Sequence, residues 1–235
     1  VVVPVHDEAG NAADLAREIA RALDGRSYEM IFVDDSSRDE TRAELAGARK
    51  TLPTMRIIGH RQNAGQSRAI RSGVLAAKAP TVATLDGDGQ NDPADIPRLL
   101  ARLIRPDAPT NLGMVSGLRT NRQDAANRKM ASQWANSFRA WVLGDGAQDS
   151  GCGIKVFRKD AFLRLPYFDH MHRYMPALMR REGFEVEFVE VNHRPRKAGR
   201  SNYTNTGRLI AAMSDLWGVM WLKSRLRDPG GADEL

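Results

Sequence analysis

Short apolar runs rich in β-branched residues alternate with stretches whose apolar positions recur every three or four residues, and this alternation fills the first half of the chain. Such patterning predicts βαβ units and a mainly parallel sheet. VVVPV opens as a strand, and a helix with Leu15, Ile19 and Leu23 on one stripe follows it. YEMIFVD is the second strand, with a second helix over Asp39 to Lys50. MRIIGH, a helix carrying Ile70, Val74 and Ala77, and TVATLD come next. The following helix opens near Pro93, a residue favoured in a first helical turn, and runs through Leu99, Leu100 and Leu103 to the strand GMVSGLR.

After that strand the alternation weakens. Lys129 to Leu143 reads as a helix, IKVFR and FEVEFVEVNH as strands, and Asn205 to Arg227 as a terminal helix or helix pair. No internal repeat, low-complexity tract or linker stands out. The expected architecture is one α/β domain over residues 1–204 with a C-terminal helical segment over 205–235. Because VVVPV has no turn before it, residue 1 is expected inside a strand, with chain trimmed upstream.

Length and composition narrow the class. At 235 residues and 42% hydrophobic content, the chain can bury about 70% of its unfolded surface, which argues against disorder. A single Cys152 excludes an internal disulfide framework and a multi-cysteine zinc site, and it suits a reducing compartment. Thirty-five Lys+Arg against 29 Asp+Glu leave a charge of +6. That surplus favours nucleic acid, an anionic membrane surface or phosphorylated small molecules, without choosing among them. No apolar run reaches the roughly 20 residues of a spanning helix, and no basic-then-apolar signal peptide opens the chain. A soluble or peripheral protein is expected.

Two acidic groups fall where strands end: Asp34-Asp35 after MIFV, and Asp86-Gly87-Asp88 after TVATL. Ligands of open parallel sheets bind outside the carboxyl ends of the strands, so both groups are expected to line one crevice. Carboxylates spaced by one residue can hold Mg²⁺ or Mn²⁺ and leave coordination positions for phosphate oxygens, with Gln90 as a neutral oxygen ligand. Turn chemistry offers a second reading, since Asp and Gly favour strand ends and Asp-Asp-Ser-Ser suits a helix cap. The residues leave both open. There is no GxxxxGK[ST], and no GxGxxG follows the first strand, which removes the usual support for a P-loop or dinucleotide-binding domain.

Six strings then carry a resemblance across nearly the whole chain: VVVPVHDE, VDDSSRDET, NAGQSRAIRSGV, TLDGDGQNDP, DSGCGIKVFR and RPRKAGRSNY. In order and spacing they resemble the family 2 glycosyltransferases of GT-A fold, in particular the dolichol-phosphate mannose synthase-like, polyprenyl-phosphate branch. The resemblance implies a Rossmann-like, mainly parallel sheet flanked by helices. It also implies a nucleotide-sugar pocket at Pro4, His6, Glu8, Val33, Asp35, Asp86, Gly87 and Asp88, and a metal held by Asp86, Asp88 and Gln90. Arg119, Arg128, Ser132 and Arg196 match the family's acceptor-phosphate residues. Asp149 matches an Asp of the loop near the sugar, and Asp88, Arg119 and Asp149 are the implied catalytic group. Three positions depart from the usual pattern: His6-Asp7 for Tyr-Asn, Ser36 for Gly or Asn, and Asn202 for the Lys of a late GxSK motif.

The implied reaction is inverting, metal-dependent hexosyl transfer from GDP-mannose or a UDP-sugar to a dolichyl- or undecaprenyl-type phosphate, in the service of cell-envelope glycans. A phosphate monoester is already anionic near neutrality, its second pKa being about 6, so no general base is required. Guanidinium groups pair bidentately with phosphate and suit its positioning. A related enzyme acting on a saccharide hydroxyl is the nearest alternative, and it would require a carboxylate base beside the acceptor. A basic nucleic-acid-binding module is a third reading, opposed by an aromatic content of 6% and the lack of a reader motif.

Other residues receive structural expectations. Cys152 is expected to pack rather than react. His170 and His172, with no further His or Cys at ligand spacing, are expected to be satisfied or exposed rather than metal-bound. From Arg194 to Arg227 there are eight Lys/Arg and one acidic residue, Asp215, and LWGVMWL places Trp217 and Trp221 on one helical face. Tryptophans flanked by cations suit a bilayer interface; the same tryptophans could instead pack on the α/β core. The expected location is cytoplasmic, either free or peripheral on the cytoplasmic side of a membrane.

Overall fold

Val3 and Val5 of the opening strand pack on one face of a central sheet, with Met30 and Phe32 of the next strand, while Val2, Ile31 and Val33 pack on the other. This period-two partition is what a strand buried on both faces requires. In the computed structural model, residues 1–119, 138–147, 149–195 and 205–227 are described, residues 205–211 by their backbone alone. Arg128, Ser132, Arg196 and Asn202 fall outside the described residues.

Seven strands form the sheet: β1 (Val2–Val5), β2 (Met30–Asp34), β3 (Met55–Gly59), β4 (Thr81–Thr84), β5 (Leu112–Arg119), β6 (Lys155–Arg158) and β7 (Glu185–Val191). Their order is β3-β2-β1-β4-β6-β5-β7. β6 runs antiparallel to both β4 and β5, and the other pairings are parallel. The mainly parallel, helix-flanked GT-A-like sheet expected from the sequence is therefore present. Because β6 is reversed, its first residue lies at the same edge as the carboxyl ends of β1, β2, β4 and β5.

Helices cover both faces. α1 (Ala12–Ala22), α2 (Thr41–Arg49) and α4 (Ile96–Leu103) pack through Leu15, Ile19, Leu45, Ile96 and Leu99 on one side. α3 (Gln66–Ala76), α5 (Lys159–Arg164), α6 (Met175–Arg181) and α7 (Asn205–Ser224) lie on the other. Residues 138–143 are also helical. Leu216 and Val219 of α7 are buried in the same core as Phe157, Phe162 and Leu178. Thus the helix beyond residue 204 shares the core of the α/β body.

α7 is fastened by polar contacts as well. Tyr174 donates its hydroxyl to the Ala212 carbonyl at 3.1 Å, Arg181 Nε donates to Leu222 O at 3.0 Å, and the Lys223 ammonium donates to the Leu143 carbonyl. The last of these brings residues 138–143 beside the end of α7. Trp217 and Trp221 point outward, 66% and 57% exposed, so they do not pack on the core. Phe138 and Trp141, whose ring centroids are 6.3 Å apart, are exposed as well. Among the described residues no helix is long and apolar enough to cross a membrane.

Candidate active site

Two adjacent carboxylates at the end of β2 have different surroundings. Asp34 is buried, accepting from Arg42 Nε at 2.7 Å and from the Ser37 main-chain N–H at 3.0 Å. Burial alone would raise its pKa, but the Ser37 and Arg42 bonds hold it below the usual carboxylate range. Asp34 thus braces α2. Asp35 turns toward α3, where Oδ1 accepts from the Ala64 N–H at 2.9 Å and Oδ2 from the Gly65 N–H at 2.7 Å.

His60, at the end of β3, completes that arrangement: its Nδ1 lies 2.6 Å from Asp35 Oδ1 and its Nε2 lies 2.9 Å from Ser72 Oγ. The carboxylate can only accept, so Nδ1 donates to Asp35, while Nε2 shares a hydrogen bond with Ser72 Oγ. With about two lone pairs per oxygen, Oδ2 keeps one acceptor direction for a ligand N–H or O–H. His6 Nδ1 sits 2.9 Å from the Asp35 carbonyl, which fixes the opening loop over the same residue. Glu8 is held by Thr41 Oγ1, which accepts from its main-chain N–H at 2.8 Å, and by Asn11 Nδ2, which donates to Oε2 at 2.9 Å.

Three expected pocket residues contribute little side chain. Pro4 and Val33 are buried, paired across β1 and β2. Val33 belongs to the core with Ile31 and Ala69. Gly87 is buried too, and a Cβ there would lie 2.6 Å from Val5 Cγ1 and 2.8 Å from the Pro4 carbonyl. The neighbouring strand alone therefore accounts for the glycine.

At the end of β4, Gln66 Nε2 donates to Asp86 Oδ1 at 2.7 Å, and Asp88 Oδ1 accepts from the Gln90 main-chain N–H at 3.1 Å. Desolvation first, and then the charge of Asp88, pushes the Asp86 pKa up to about 6 against the pull of Lys155 and Arg119. A second glycine explains how Asp86 is seated: a Cβ at Gly153 would fall 2.3 Å from Asp86 Cγ. Among the described residues no three His, Cys, Asp or Glu side chains converge on a preformed metal cage. Mg²⁺ or Mn²⁺ can be bound through one or two carboxylates with substrate phosphates and water completing the shell. Two carboxylates repelling one another at a partly desolvated strand end are a fitting donor set for such a cation.

The opposite wall is built on β5. Arg119 Nε and Nη2 meet Asp149 Oδ2 and Oδ1 at 2.6 and 2.7 Å. Burial would lower the arginine's pKa, yet the Asp149 carboxylate outweighs it and raises the value. The loop leading to Asp149 is anchored by a buried pair, Arg139 Nη1 to Asp145 Oδ2 at 2.7 Å, with Arg139 Nη2 also donating to the Ala147 carbonyl at 2.8 Å.

Gln90 also links the donor side to the late basic segment. The Gln90 carbonyl accepts from the Arg194 N–H at 2.9 Å, and Asn91 bridges His193 antiparallel. Arg194 itself pairs with Glu18 and Asp92, each at 2.6 Å. The start of the segment carrying Arg196 is therefore tied to the loop carrying Asp88 and Gln90.

Both histidines of HMH are satisfied: His172 Nδ1 lies 2.8 Å from Ser67 Oγ and His170 Nδ1 3.0 Å from Asp215 Oδ2. Cys152 is buried and its thiol is pushed up to about 11 by desolvation, so it packs as expected. His60, Gln66 and Lys155 were not singled out by the sequence reading. His60 and Gln66 stand at the end of MRIIGH and within NAGQSRA, beside residues that were. For His60 the signal is a polar side chain at the carboxyl edge of a predicted parallel strand; Gln66 instead opens α3, and Lys155 begins the reversed strand β6.

A parallel sheet with paired acidic clusters and a buried arginine clamp along its carboxyl edge is the frame of a GT-A glycosyltransferase. Residues 1–186 match the Glycosyl transferase family 2 profile, and the chain belongs to that family. It is 32% identical over 98% of its length to the dodecaprenyl-phosphate galacturonate synthase of Rhizobium johnstonii, spanning 68% of that protein. Against the undecaprenyl-phosphate 4-deoxy-4-formamido-L-arabinose transferase of Enterobacter sp. the identity is again 32%, covering 92% of the chain and 65% of the relative. The chain thus spans about two thirds of these curated relatives. In fold it resembles Mycobacterium tuberculosis glucosyl-3-phosphoglycerate synthase, solved with Mn²⁺, UDP and glucosyl-3-phosphoglycerate, with a TM-score of 0.70 at 15% identity over 97% of this chain and 80% of that one. The same enzyme is also solved with Mg²⁺ and UDP.

Proposed function

We propose that this chain transfers a sugar from a nucleoside diphosphate sugar to a polyprenyl phosphate, with inversion in a single displacement. The observation that carries this reading is the engagement of Asp149. Both of its oxygens are occupied by Arg119, so the carboxylate nearest the acceptor side is not presented as a general base for a hydroxyl. An acceptor that arrives already anionic needs none. The names of the two relatives, both polyprenyl-phosphate sugar transferases or synthases, support the same class.

In the proposed step an oxygen of the lipid phosphate forms a bond to the anomeric carbon. The bond from that carbon to the donor diphosphate breaks, and its electron pair leaves with the nucleoside diphosphate. Asp35 and the loop around His6 hold the nucleoside end. Asp88 and Gln90, with Asp86 beside them, would hold Mg²⁺ or Mn²⁺, and such an ion would supply positive charge to neutralise the leaving diphosphate. Arg119 keeps three N–H donors beyond those given to Asp149, and these orient the acceptor phosphate. Arg128, Ser132 and Arg196 are proposed to complete that phosphate site.

Membrane contact forms part of the same reading. Trp217, Trp221, Met213, Phe138 and Trp141 are exposed, and the exposed Arg225, set over the Trp221 ring, and Arg227 follow the helix end. Indole rings beside cations suit the headgroup region of an anionic membrane. The enzyme would then meet its lipid acceptor from the cytoplasmic face.

The test is incubation with Mg²⁺ or Mn²⁺, a panel of UDP- and GDP-sugars and a short polyprenyl phosphate, with lipid-linked sugar detected by mass. One donor is expected to give product, and Asp88→Ala is expected to lower turnover by about 100- to 1,000-fold, the scale of losing an electrostatic stabiliser. Turnover confined to hydroxyl acceptors would refute the proposal.

A further inference from the structure

Lys155 is a charged residue that the mechanism above does not employ. It is the first residue of β6, where its backbone registers with Thr84 of β4 on one side and Ser116 of β5 on the other. Asp86 lies just beyond Thr84, and Arg119 ends the strand that holds Ser116. The lysine therefore sits between the strand that delivers the donor carboxylates and the strand that delivers the arginine clamp. The residue is 4% exposed. An ammonium is a compact, strongly hydrated charge with three donors, and burying one is costly unless the charge is used.

The contact it makes identifies the use. Its ammonium donates to the carbonyl of Cys152, in the middle of a loop whose two ends belong to opposite halves of the site. At one end Asp149 grips Arg119. At the other, Gly153 lies against Asp86, so closely that a Cβ would meet it at 2.3 Å. Burial lowers the lysine's pKa, the Asp86 and Asp149 carboxylates oppose that shift, and Arg119 adds to it. A shift of this loop would move the clamp and open the seat of Asp86 together.

We propose that Lys155 is a positioning residue for sugar transfer: its buried ammonium pins the 149–153 loop through the Cys152 carbonyl and so keeps the Arg119–Asp149 pair and Asp86 in mutual register. Its effect on turnover rests on the proposed transferase reaction, whereas its effect on the loop does not. Lys155→Met keeps the length and apolar stem of the side chain and removes the charge. Lys155→Arg keeps the charge.

Two measurements test the proposal. In steady-state assays Lys155→Met is expected to lose about 100-fold in kcat, the scale of a small misplacement of catalytic groups, with donor and acceptor KM within about threefold of the parent. Lys155→Arg is expected to recover roughly tenfold of that loss. Independently of any reaction, the loop is read by the chain's single cysteine, whose side chain is buried in the folded protein. Modification of Cys152 by a thiol reagent is expected to be roughly tenfold faster in Lys155→Met at equal thermal stability, because local opening exposes it.

Unchanged Cys152 reactivity in a folded Lys155→Met protein, or equal kcat loss in the Met and Arg variants, would overturn the proposal. If Lys155→Met does not fold, Lys155→Gln is compared with Lys155→Arg under the same criteria. If the parent makes no lipid-linked sugar, the proposed reaction fails while the cysteine measurement still decides the role of Lys155.

Discussion

Arg119 and Asp149 hold each other at two points, Nε to Oδ2 at 2.6 Å and Nη2 to Oδ1 at 2.7 Å, and the Arg119 main-chain N–H adds a third bond to Oδ2 at 3.2 Å. The side chains are only 13% and 6% exposed. Removing Asp149 alone leaves a largely buried guanidinium without its carboxylate, which costs about 3–5 kcal/mol. Asp149→Ala is therefore expected to be strongly destabilised in urea unfolding. The apolar double variant Arg119→Met/Asp149→Leu is expected to regain most of that stability and no turnover, which separates the pair's structural and chemical roles.

Gly153→Ala places a methyl where Asp86 stands. The clash at 2.3 Å cannot be relieved by a flexible side-chain end, because Gln66 holds Asp86 from the other side. Overpacking of this kind costs about 1–3 kcal/mol. Calorimetry is expected to show that loss, and titration with UDP and Mn²⁺ is expected to show weakened metal-dependent binding. A fully active Gly153→Ala protein would contradict the placement of Asp86.

Asp86 also predicts a pH dependence. Its pKa stands at about 6 against an ordinary 3.8, so between about pH 4 and 6 the folded state holds a proton that the unfolded state has released. Without added metal, the contribution of Asp86 to stability is expected to fall as pH rises through that window, by up to about 3 kcal/mol, against the opposite trend of carboxylates such as Asp34 that are held low. Asp86→Asn removes this contribution: the difference in stability between variant and parent should grow in the variant's favour from about pH 4 to 6 and stay constant above. Cation binding runs the other way, since it requires the carboxylate. Mn²⁺-dependent UDP binding is expected to strengthen up to about pH 6 and then level off.

The outward tryptophans give a fourth expectation. Trp217→Ser/Trp221→Ser alters side chains that are 66% and 57% exposed, so folding should be unaffected. Sedimentation with anionic phospholipid vesicles is expected to show binding reduced by roughly tenfold and a remaining component that salt removes. Equal vesicle binding by parent and variant would exclude this face as the contact.

Much of the sheet was legible because strand and helix periods differ, as MIFVD and the Leu15–Ile19 stripe show. Positions along the carboxyl edge of the sheet were legible where a chemistry-bearing residue coincided with a strand end, at Asp35, Asp86 and Arg119. Short elements were not: α5 and α6 are six and seven residues long, too brief for a helical period to declare itself. Spacing could not separate Asp34, spent on Arg42, from Asp35, turned toward α3. Nor could it foresee Lys155, whose role depends on β6 entering the sheet antiparallel between two parallel neighbours. Whether the tryptophans face the core or solvent was likewise decided by Leu216 and Val219 taking the buried side of α7.

The central claim is that the acceptor is a phosphate and needs no base. It is tested most directly by a matched pair of acceptors, a short polyprenyl phosphate and the corresponding polyprenol, offered with the same donor and Mn²⁺ while lipid-linked sugar is followed by mass. The account predicts product from the phosphate, none from the alcohol, and loss of that product in Arg119→Ala. Equal or faster glycosylation of the alcohol would contradict it.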